Sequence, residues 1–341
     1  MKTEWLTASA ADIERAGELL RNGEVVGIPS ETVYGLAANA LDGRAVARIF
    51  EAKGRPMDNP LIVHIADLSE LDALVAEIPE KARRLADLWW PGPLTMIFKK
   101  ADCIPAEVCA GLPTVAVRFP SHPVTRDIIR AAGCPLAAPS ANRSGSPSPT
   151  TAAHVMADME GRVAAVLDGG ESGVGLESTV IDMTKDTPCL LRPGGVTPEM
   201  LQEAVGEIAI NSAVTAMLQA GEVAASPGMK YKHYAPKANV TLLRGGKEAY
   251  RRYVNDHAGP GVAAMCFDGE EAGLAVPYLT YGRRDDQEAQ AHQLFDVLRA
   301  WDDRPEVTQV YAACPSADGL GLAVYNRLLR SAEFEVIALD D

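Results

Sequence analysis

The sequence predicts an α/β protein of two domains, a larger mixed α/β domain followed by a small doubly wound parallel sheet. The chain has 341 residues, more than one typical domain needs. Short apolar runs of strand length alternate with amphipathic segments along most of it. This pattern is broken by a stretch with proline at both ends and glycine inside, residues 226–236. We therefore expect domains at 1–206 and 239–341, joined by a linker at 207–238.

In the first domain, the clearest helix is predicted over 11–22, with Ser9 as its cap and Gly23 as its stop. Further helices are predicted at 43–53, within 68–89, and at 123–132, 151–159 and 198–205. Strands are predicted at 25–28, 61–65, 94–98, 115–119, 136–138, 164–167, 179–181 and 189–191. The interleaving of the two kinds of element indicates a mixed α/β domain.

In the second domain, strands of four to six residues alternate with helices long enough for crossover connections. Strands are predicted at 240–243, 262–267 and 307–312, and helices at 247–257, 286–301 and 320–329. Such alternation favours a parallel sheet of the doubly wound type.

The formal net charge of -14 disfavours a protein that holds nucleic acid through bulk charge. It still permits a small anionic ligand, since a few arginines in a cleft can outweigh distant carboxylates. The sequence shows neither a secretory signal nor an apolar window of about 20 residues, so we expect a cytoplasmic protein without membrane contact. Its six cysteines are scattered without metal-ligand spacing, which favours buried free thiols over a metal site or disulfides.

Common phosphate-binding loops are absent: Gly245-Gly246-Lys247 lacks the Ser or Thr of a Walker loop, and Gly319-Leu320-Gly321 lacks a third glycine. Instead, polar segments rich in Arg, Lys, Ser, Thr and Asn stand at predicted strand ends, where α/β proteins tend to build their sites. These segments are 29–36, 53–64, 117–123, 138–145 and 175–180, the last leading to 191–195.

In this order the segments resemble the YrdC-domain family, and the linker and tail resemble its long form, the threonylcarbamoyl-AMP synthases. The most specific parts are the run K-G-R-P-x-x-N-P-L-I-V-H from Lys53 and the linker S-P-G-M-K-Y-K-H-Y-A-P from Ser226. Ser30 stands where the family often has threonine, which keeps the hydroxyl. The resemblance implies a YrdC-like twisted mixed sheet with flanking helices in the first domain. It also implies an enzyme, a nucleotidyltransferase that makes threonylcarbamoyl-AMP and pyrophosphate from L-threonine, bicarbonate and ATP for tRNA threonylcarbamoyladenosine modification.

Such a reaction brings three anions together, so cationic side chains are the first candidates. Lys53 and Arg55 are suited to neutralise phosphate oxygens and are the expected catalytic pair; the alternative is a solvated turn after a helix. Arg118 could grip the substrate carboxylate with its rigid fork, and a structural ion pair is the alternative there.

Threonine itself would be recognised by polar groups that reject analogues through unpaired hydrogen bonds. Thr32, His64 and Ser178 are the candidates, although a lone histidine is usually structural. By resemblance, Ala138 would lie against threonine.

Small residues just past a strand let backbone and short side chains approach phosphates, which makes Ser140 and Asn142 candidates for ATP binding. Arg143 and Arg192 would add positive charge. By resemblance, contacts to ATP would come from Asn59, Thr114, Ser140, Ser148 and Arg192. For Thr114 and Ser148 a capping or loop hydroxyl is an equal alternative. The linker tyrosines, Tyr231 and Tyr234, could close over the nucleotide as a lid that excludes water.

ATP normally reacts as its magnesium complex, so Mg²⁺ is expected, with metal ligands that the sequence leaves undetermined. The product would pass to a tRNA threonylcarbamoyl transferase. A non-enzymatic module that binds tRNA or double-stranded RNA is the rival hypothesis, and the overall acidity opposes it. A carbamoyl-adenylate enzyme of hydrogenase maturation is a weaker rival, because those chains carry Cys-rich modules absent here.

Overall fold

A computed structural model describes residues 2–216 and 233–340. By contacts, the described chain divides into two compact units: residues 2–144 and 148–214 form the first, and 145–147, 215–216 and 233–340 form the second. No helix within these residues has the length and apolar character to cross a membrane.

The first unit alternates strands and helices along the chain. Its strands are β1 (Glu4–Thr7), β2 (Val26–Ile28), β3 (Gly35–Asn39), β4 (Ile62–His64), β5 (Leu94–Lys99), β6 (Thr114–Arg118), β7 (Leu136–Ala137), β8 (Ala165–Asp168), β9 (Thr179–Asp182), β10 (Cys189–Arg192) and β11 (Ala209–Ile210). Its helices are α1 (Ala10–Arg21), α2 (Gly43–Lys53), α3 (Leu71–Leu74), α4 (Glu80–Trp89), α5 (Ala106–Cys109), α6 (Pro123–Ala132), α7 (Ala152–Met159) and α8 (Pro198–Val205).

These strands form one mixed sheet, in the order β1-β8-β2-β3-β7-β4-β6-β5-β9-β10-β11. Helices α1 and α6 pack together on one face. A Cβ on Gly17 would lie 2.6 Å from the carbonyl carbon of Ala131, so the absence of a side chain permits this close approach. The opposite face carries the largest apolar cluster, which includes Val63, Val117 and Ile181. Burial of such side chains stabilises the fold by about 1.5–3 kcal/mol each.

The second unit has a five-stranded, fully parallel sheet. Its strands are β12 (Asn239–Arg244), β13 (Val262–Cys266), β14 (Tyr278–Thr280), β15 (Gln309–Ala313) and β16 (Val336–Ala338), in the order β14-β13-β15-β12-β16. Its helices are α9 (Lys247–Asp256), α10 (Gln287–Ala300) and α11 (Gly321–Ser331). The predicted doubly wound sheet is thus present.

Most predicted elements of the first domain are confirmed within two residues, and α2, α6 and α8 have the expected ends. Ser9 caps α1 by accepting from the Asp12 amide. Several short or edge elements were not predicted from the sequence, namely β1, β3, α5, β11, β14 and β16. Their apolar runs are too short to show a period, and pairing with neighbours defines them.

The cysteines only partly meet expectation. All six are free, and Cys109, Cys189 and Cys266 are buried. Cys103, however, is exposed, and Cys134 and Cys314 are partly exposed. Burial of Cys103 is therefore a wrong prediction.

Candidate active site

A row of polar residues crosses one end of the mixed sheet. The register places His64 opposite Arg118, Arg118 opposite Thr95, Thr95 opposite Val180, and Val180 opposite Arg192. Ser178 immediately precedes β9 at the same end. Five adjacent strands therefore bring together side chains that are far apart in the sequence.

The members of this row share one face of the sheet. One apolar cluster contains Ile62, Ala116, Ile97 and Val180, and His64, Arg118, Thr95 and Ser178 stand two residues away from them on the respective strands, toward the same end of the sheet. Because residues two apart in a strand point to the same side, the polar groups lie beside that cluster.

A β-bulge places Arg192 on this face. The pairing of β10 with β9 shifts between Leu190 and Arg192, so that Leu190 pairs with Ile181 and Arg192 with Val180. Leu190 belongs to the cluster on the other face. An extra residue in one strand re-aims the side chains that follow it, and here it turns a guanidinium toward the polar row.

Arg192 is buried and holds Ser178 through two hydrogen bonds. Its Nε donates to the Ser178 carbonyl at 3.0 Å and its Nη2 to the Ser178 hydroxyl at 3.2 Å. The same hydroxyl lies 2.7 Å from Thr95 Oγ1. The three side chains therefore form one connected group.

Arg118 contacts protein groups through each of its nitrogens. Nε donates to the Gly92 carbonyl at 3.3 Å and Nη1 to Thr32 Oγ1 at 2.8 Å, while Nη2 lies 2.6 Å from Glu31 Oε1. The ion pair foreseen as the alternative for Arg118 is thus present. It also brings Thr32, a predicted threonine-binding residue, directly onto the guanidinium.

His64 is buried, and its Nδ1 lies 3.1 Å from the Ile62 carbonyl, a contact that favours the Nδ1–H tautomer. Burial, the largest cause, and the charge of Arg118 together lower the pKa of His64 to about 3, against the opposing effects of Glu31 and of backbone hydrogen bonds with Ile62 and Leu136. The imidazole is therefore neutral near pH 7, with Nε2 as an acceptor. It is suited to receive a hydroxyl hydrogen rather than to carry charge.

Lys53 is the last residue of α2, and Gly54 ends the helix in the left-handed conformation at φ 64°. The buried Lys53 ammonium donates to the carbonyls of Ser140 and Asn142, the latter at 2.6 Å. It thereby shapes the 140–142 loop, whose Ser140 hydroxyl bonds Asn142 Oδ1 at 2.6 Å. Arg55, on the other side of the cap, is only half-buried and stands over the Phe50 ring.

The segment after β2 connects this loop to the polar row. Thr32 contacts Arg118, and two residues later the Tyr34 amide donates to the Pro149 carbonyl while its own carbonyl accepts from Ala141. The Ser148 hydroxyl, in turn, donates to Glu177, which precedes Ser178. Lys53, Ser140, Asn142 and Ser148 are thus linked to the row through shared neighbours.

The remaining predicted residues are distributed around these groups. Thr114 shares the face of Arg118 but begins β6, four residues or about 13 Å away. Asn59 and Ala138 are buried, and Arg143 is exposed.

Tyr234 belongs to the second unit, where its buried ring lies 5.3 Å from that of Phe295. Tyr231 lies outside the described residues.

Two residues of the site were not predicted from the sequence: Glu31, which contacts Arg118, and Thr95, which contacts Ser178. Glu31 lies within the polar segment 29–36, so its charge was the available signal. Thr95 has no such signal, because it lies in an ordinary apolar strand and only the register reveals its neighbours. Among the described residues, no group of three His, Cys, Asp or Glu side chains could hold a metal ion.

The fold and this polar row define an α/β protein with a polar site on one face of a mixed sheet. The family model of the Sua5, YciO and YrdC proteins, described as "Telomere recombination", matches residues 18–194. A second model, described as "Threonylcarbamoyl-AMP synthase, C-terminal domain", matches residues 196–333. The chain therefore belongs to the Sua5/YciO/YrdC family, in the long form that carries this C-terminal domain.

Relatives resemble the chain over nearly its whole length. A threonylcarbamoyl-AMP synthase of Bacillus subtilis is 44% identical over 98% of this chain and 97% of its own. One from Pyrococcus abyssi is 45% identical, with 95% of each chain covered. The solved structure of P. abyssi Sua5 complexed with L-threonine superposes with a TM-score of 0.92 at 42% identity, covering all of both chains.

Proposed function

We propose that the chain is an L-threonylcarbamoyladenylate synthase, which converts L-threonine, bicarbonate and ATP into threonylcarbamoyl-AMP and pyrophosphate. The main observation behind this proposal is the polar row, in which His64, Arg118, Ser178 and Arg192 lie together on one face of the sheet. The full-length likeness to threonylcarbamoyl-AMP synthases supports this substrate set.

At the threonine end, Arg118 supplies a buried positive charge for the substrate carboxylate. The Thr32 hydroxyl lies 2.8 Å from Nη1 of this guanidinium. His64, which pairs with Arg118 on the neighbouring strand, offers a neutral Nε2 acceptor. Ser178 adds a hydroxyl fixed by two neighbours. We assign these groups, with Ala138 as an apolar wall, to reading the carboxylate, hydroxyl and amine of threonine.

At the nucleotide end, Lys53 holds the 140–142 loop, and Arg55 stands beside it with part of its surface exposed. We assign Lys53 and Arg55 to charge stabilisation as the carbamate oxygen attacks the α-phosphate and pyrophosphate leaves. Further ATP contacts are assigned to Asn59, Thr114, Ser140, Asn142, Arg143, Ser148 and Arg192. ATP enters as its magnesium complex, so the metal comes with the substrate.

This chemistry makes the chain a nucleotidyltransferase whose product serves tRNA modification. We propose that the labile mixed anhydride passes to a tRNA threonylcarbamoyl transferase, with the reaction in the cytoplasm, where ATP and tRNA occur. Direct tRNA contact is not required, and the net charge of -14 opposes it.

Pyrophosphate release from ATP by the purified chain tests this function. It should require both L-threonine and bicarbonate, and L-serine should support it poorly. Lys53→Ala and Arg55→Ala should nearly abolish it. Equal turnover without an amino acid would contradict the assignment.

We assign Tyr231 and Tyr234 to a lid over the nucleotide, as the linker resemblance implies. Tyr234→Ala and Tyr231→Ala should each shorten the lifetime of enzyme-bound product, measured as AMP released after rapid mixing. Unchanged lifetimes in both variants would remove the lid.

A further inference from the structure

The buried pair of Glu31 and Arg118 is incompletely satisfied. Nη2 of Arg118 lies 2.6 Å from Oε1 of Glu31, an ion-pair contact that engages at most one of the two hydrogens of Nη2. Nη2 is buried and has no further partner among the described residues, and Oε2 of Glu31 is buried without a hydrogen-bond partner among them. The ion pair thus leaves one hydrogen of a charged donor and one charged acceptor oxygen open.

Such groups are costly. A buried polar atom without a partner costs about 1–3 kcal/mol, and more when it is charged, so native structures rarely retain one without a reason. A single ligand that accepts at Nη2 and donates to Oε2 would satisfy both. A zwitterionic α-amino acid has this pair of groups, a carboxylate and an ammonium on one carbon.

The backbone holds Glu31 in place. The Ser121 amide donates to Oε1 at 3.1 Å, and the Val174 amide donates to the Glu31 carbonyl at 2.8 Å. On the other side, the Ser30 hydroxyl accepts from the amides of Thr32 and Val33. The carboxylate is therefore pre-positioned, and a ligand need not order it.

The local charge fits the same ligand. Burial alone would raise the pKa of Glu31, but the charge of Arg118 and the Ser121 amide outweigh burial and hold this pKa below its ordinary value. With neutral His64 beside the pair, the group Glu31, Arg118 and His64 carries no net charge. A neutral zwitterion matches it, whereas a simple carboxylate would add an uncompensated negative charge beside Glu31.

We propose that Glu31 is a substrate-binding residue: its Oε2 receives the ammonium of L-threonine while Nη2 of Arg118 binds the carboxylate. The inference rests on the proposed function and adds the residue that makes the site selective for an α-amino acid. It also gives Glu31 a role distinct from orienting Arg118, which would affect any carboxylate ligand equally.

The test compares L-threonine with (2S,3R)-2,3-dihydroxybutanoate, which has a hydroxyl in place of the ammonium. Calorimetric titration without ATP and bicarbonate measures both affinities. Wild type should bind threonine at least about tenfold more tightly, the effect of one charge-assisted hydrogen bond. Glu31→Gln should weaken the binding of threonine by about that factor. Its affinity for the dihydroxy acid should be equal to that of wild type or higher.

Glu77→Gln is the matched control, since Glu77 is an exposed partner of Lys99 at 3.6 Å, and it should change neither affinity. Equal weakening of both ligands in Glu31→Gln would show that Glu31 only orients Arg118, and no weakening would equally overturn the proposal. Should Glu31→Gln not fold, equal wild-type affinity for the two ligands would overturn it. Wild-type protein that binds no threonine would instead defeat the proposed function.

Discussion

Arg192 and Ser178 form a two-point contact in which the guanidinium holds both the backbone oxygen and the hydroxyl of the serine, at 3.0 and 3.2 Å. The two residues are 14 positions apart and meet because a bulge in β10 turns Arg192 toward β9. This contact couples a predicted nucleotide-binding residue to a predicted threonine-binding residue.

The Ser178 hydroxyl should be needed for both stability and threonine binding. Ser178→Ala removes the buried hydroxyl that contacts Thr95 Oγ1 and Arg192 Nη2, so we expect a loss of about 1–3 kcal/mol in the free energy of unfolding and a raised KM for threonine. Thr95→Val removes the Thr95–Ser178 hydrogen bond but keeps the Ser178 hydroxyl. This variant should lower the free energy of unfolding about as much as Ser178→Ala does, but it should change the KM for threonine less. Equal changes of KM in the two variants would argue against substrate contact by Ser178.

Gly194 should tolerate no side chain. A Cβ there would lie 2.4 Å from the Thr179 amide nitrogen and 2.7 Å from the Glu177 carbonyl oxygen. Gly194→Ala must therefore push β10 away from Ser178, with a loss of about 1–3 kcal/mol or more and a fall in kcat/KM. Gly173→Ala is the control, because a Cβ at that glycine would meet no atom within 4 Å. Equal urea midpoints for the two variants would contradict this account.

His64 should make stability depend on pH. Its pKa is about 3 in the folded protein against 6.5 ordinarily, so between these values the unfolded state binds more protons, and stability falls as the pH falls below 6.5. The slope approaches about 1.4 kcal/mol per pH unit. His64→Gln should flatten the difference in unfolding free energy between pH 5 and pH 7.5. A variant with the wild-type slope would show that His64 titrates normally.

Lys53 and Arg55 should differ in stability although both are assigned to catalysis. Lys53→Ala removes the donor to two carbonyls, with an expected loss of about 2 to 4 kcal/mol. Arg55→Ala alters a half-buried side chain and should cost less. Thermal unfolding of both variants, alongside pyrophosphate release, separates the two effects. Equal destabilisation would mean that Arg55 also supports the fold.

The sequence predicted much of this architecture because apolar periodicity and capping are local properties. Helix α2, with lysine before Gly54, and helix α6, with Pro123 at its first position, were predicted with correct ends. Apart from Thr95, the polar residues of the row were likewise recognised as candidates one by one, since arginine, histidine and serine at strand ends are visible without a structure. Their functional roles remain proposals.

Edge and hairpin elements were not predicted from the sequence, and neither were the partners of the site residues. β3 begins within the polar segment at 29–36 and forms a hairpin with β2, and its residues Gly35-Leu36-Ala37-Ala38 show no strand alternation. Thr95 could not be linked to Ser178 across 83 positions, because that contact depends on β5 pairing with β9.

By itself, then, the amino-acid order determined most of the segments that become helices and strands, and most of the polar side chains that stand where strands end. Only the tertiary structure decided that His64, Arg118, Thr95 and Arg192 share one face, that a bulge turns Arg192 inward, and that Glu31 retains an open carboxylate oxygen. The physical reason is that strand register and burial arise from long-range pairing, in which a shift of one residue would send every side chain to the other face.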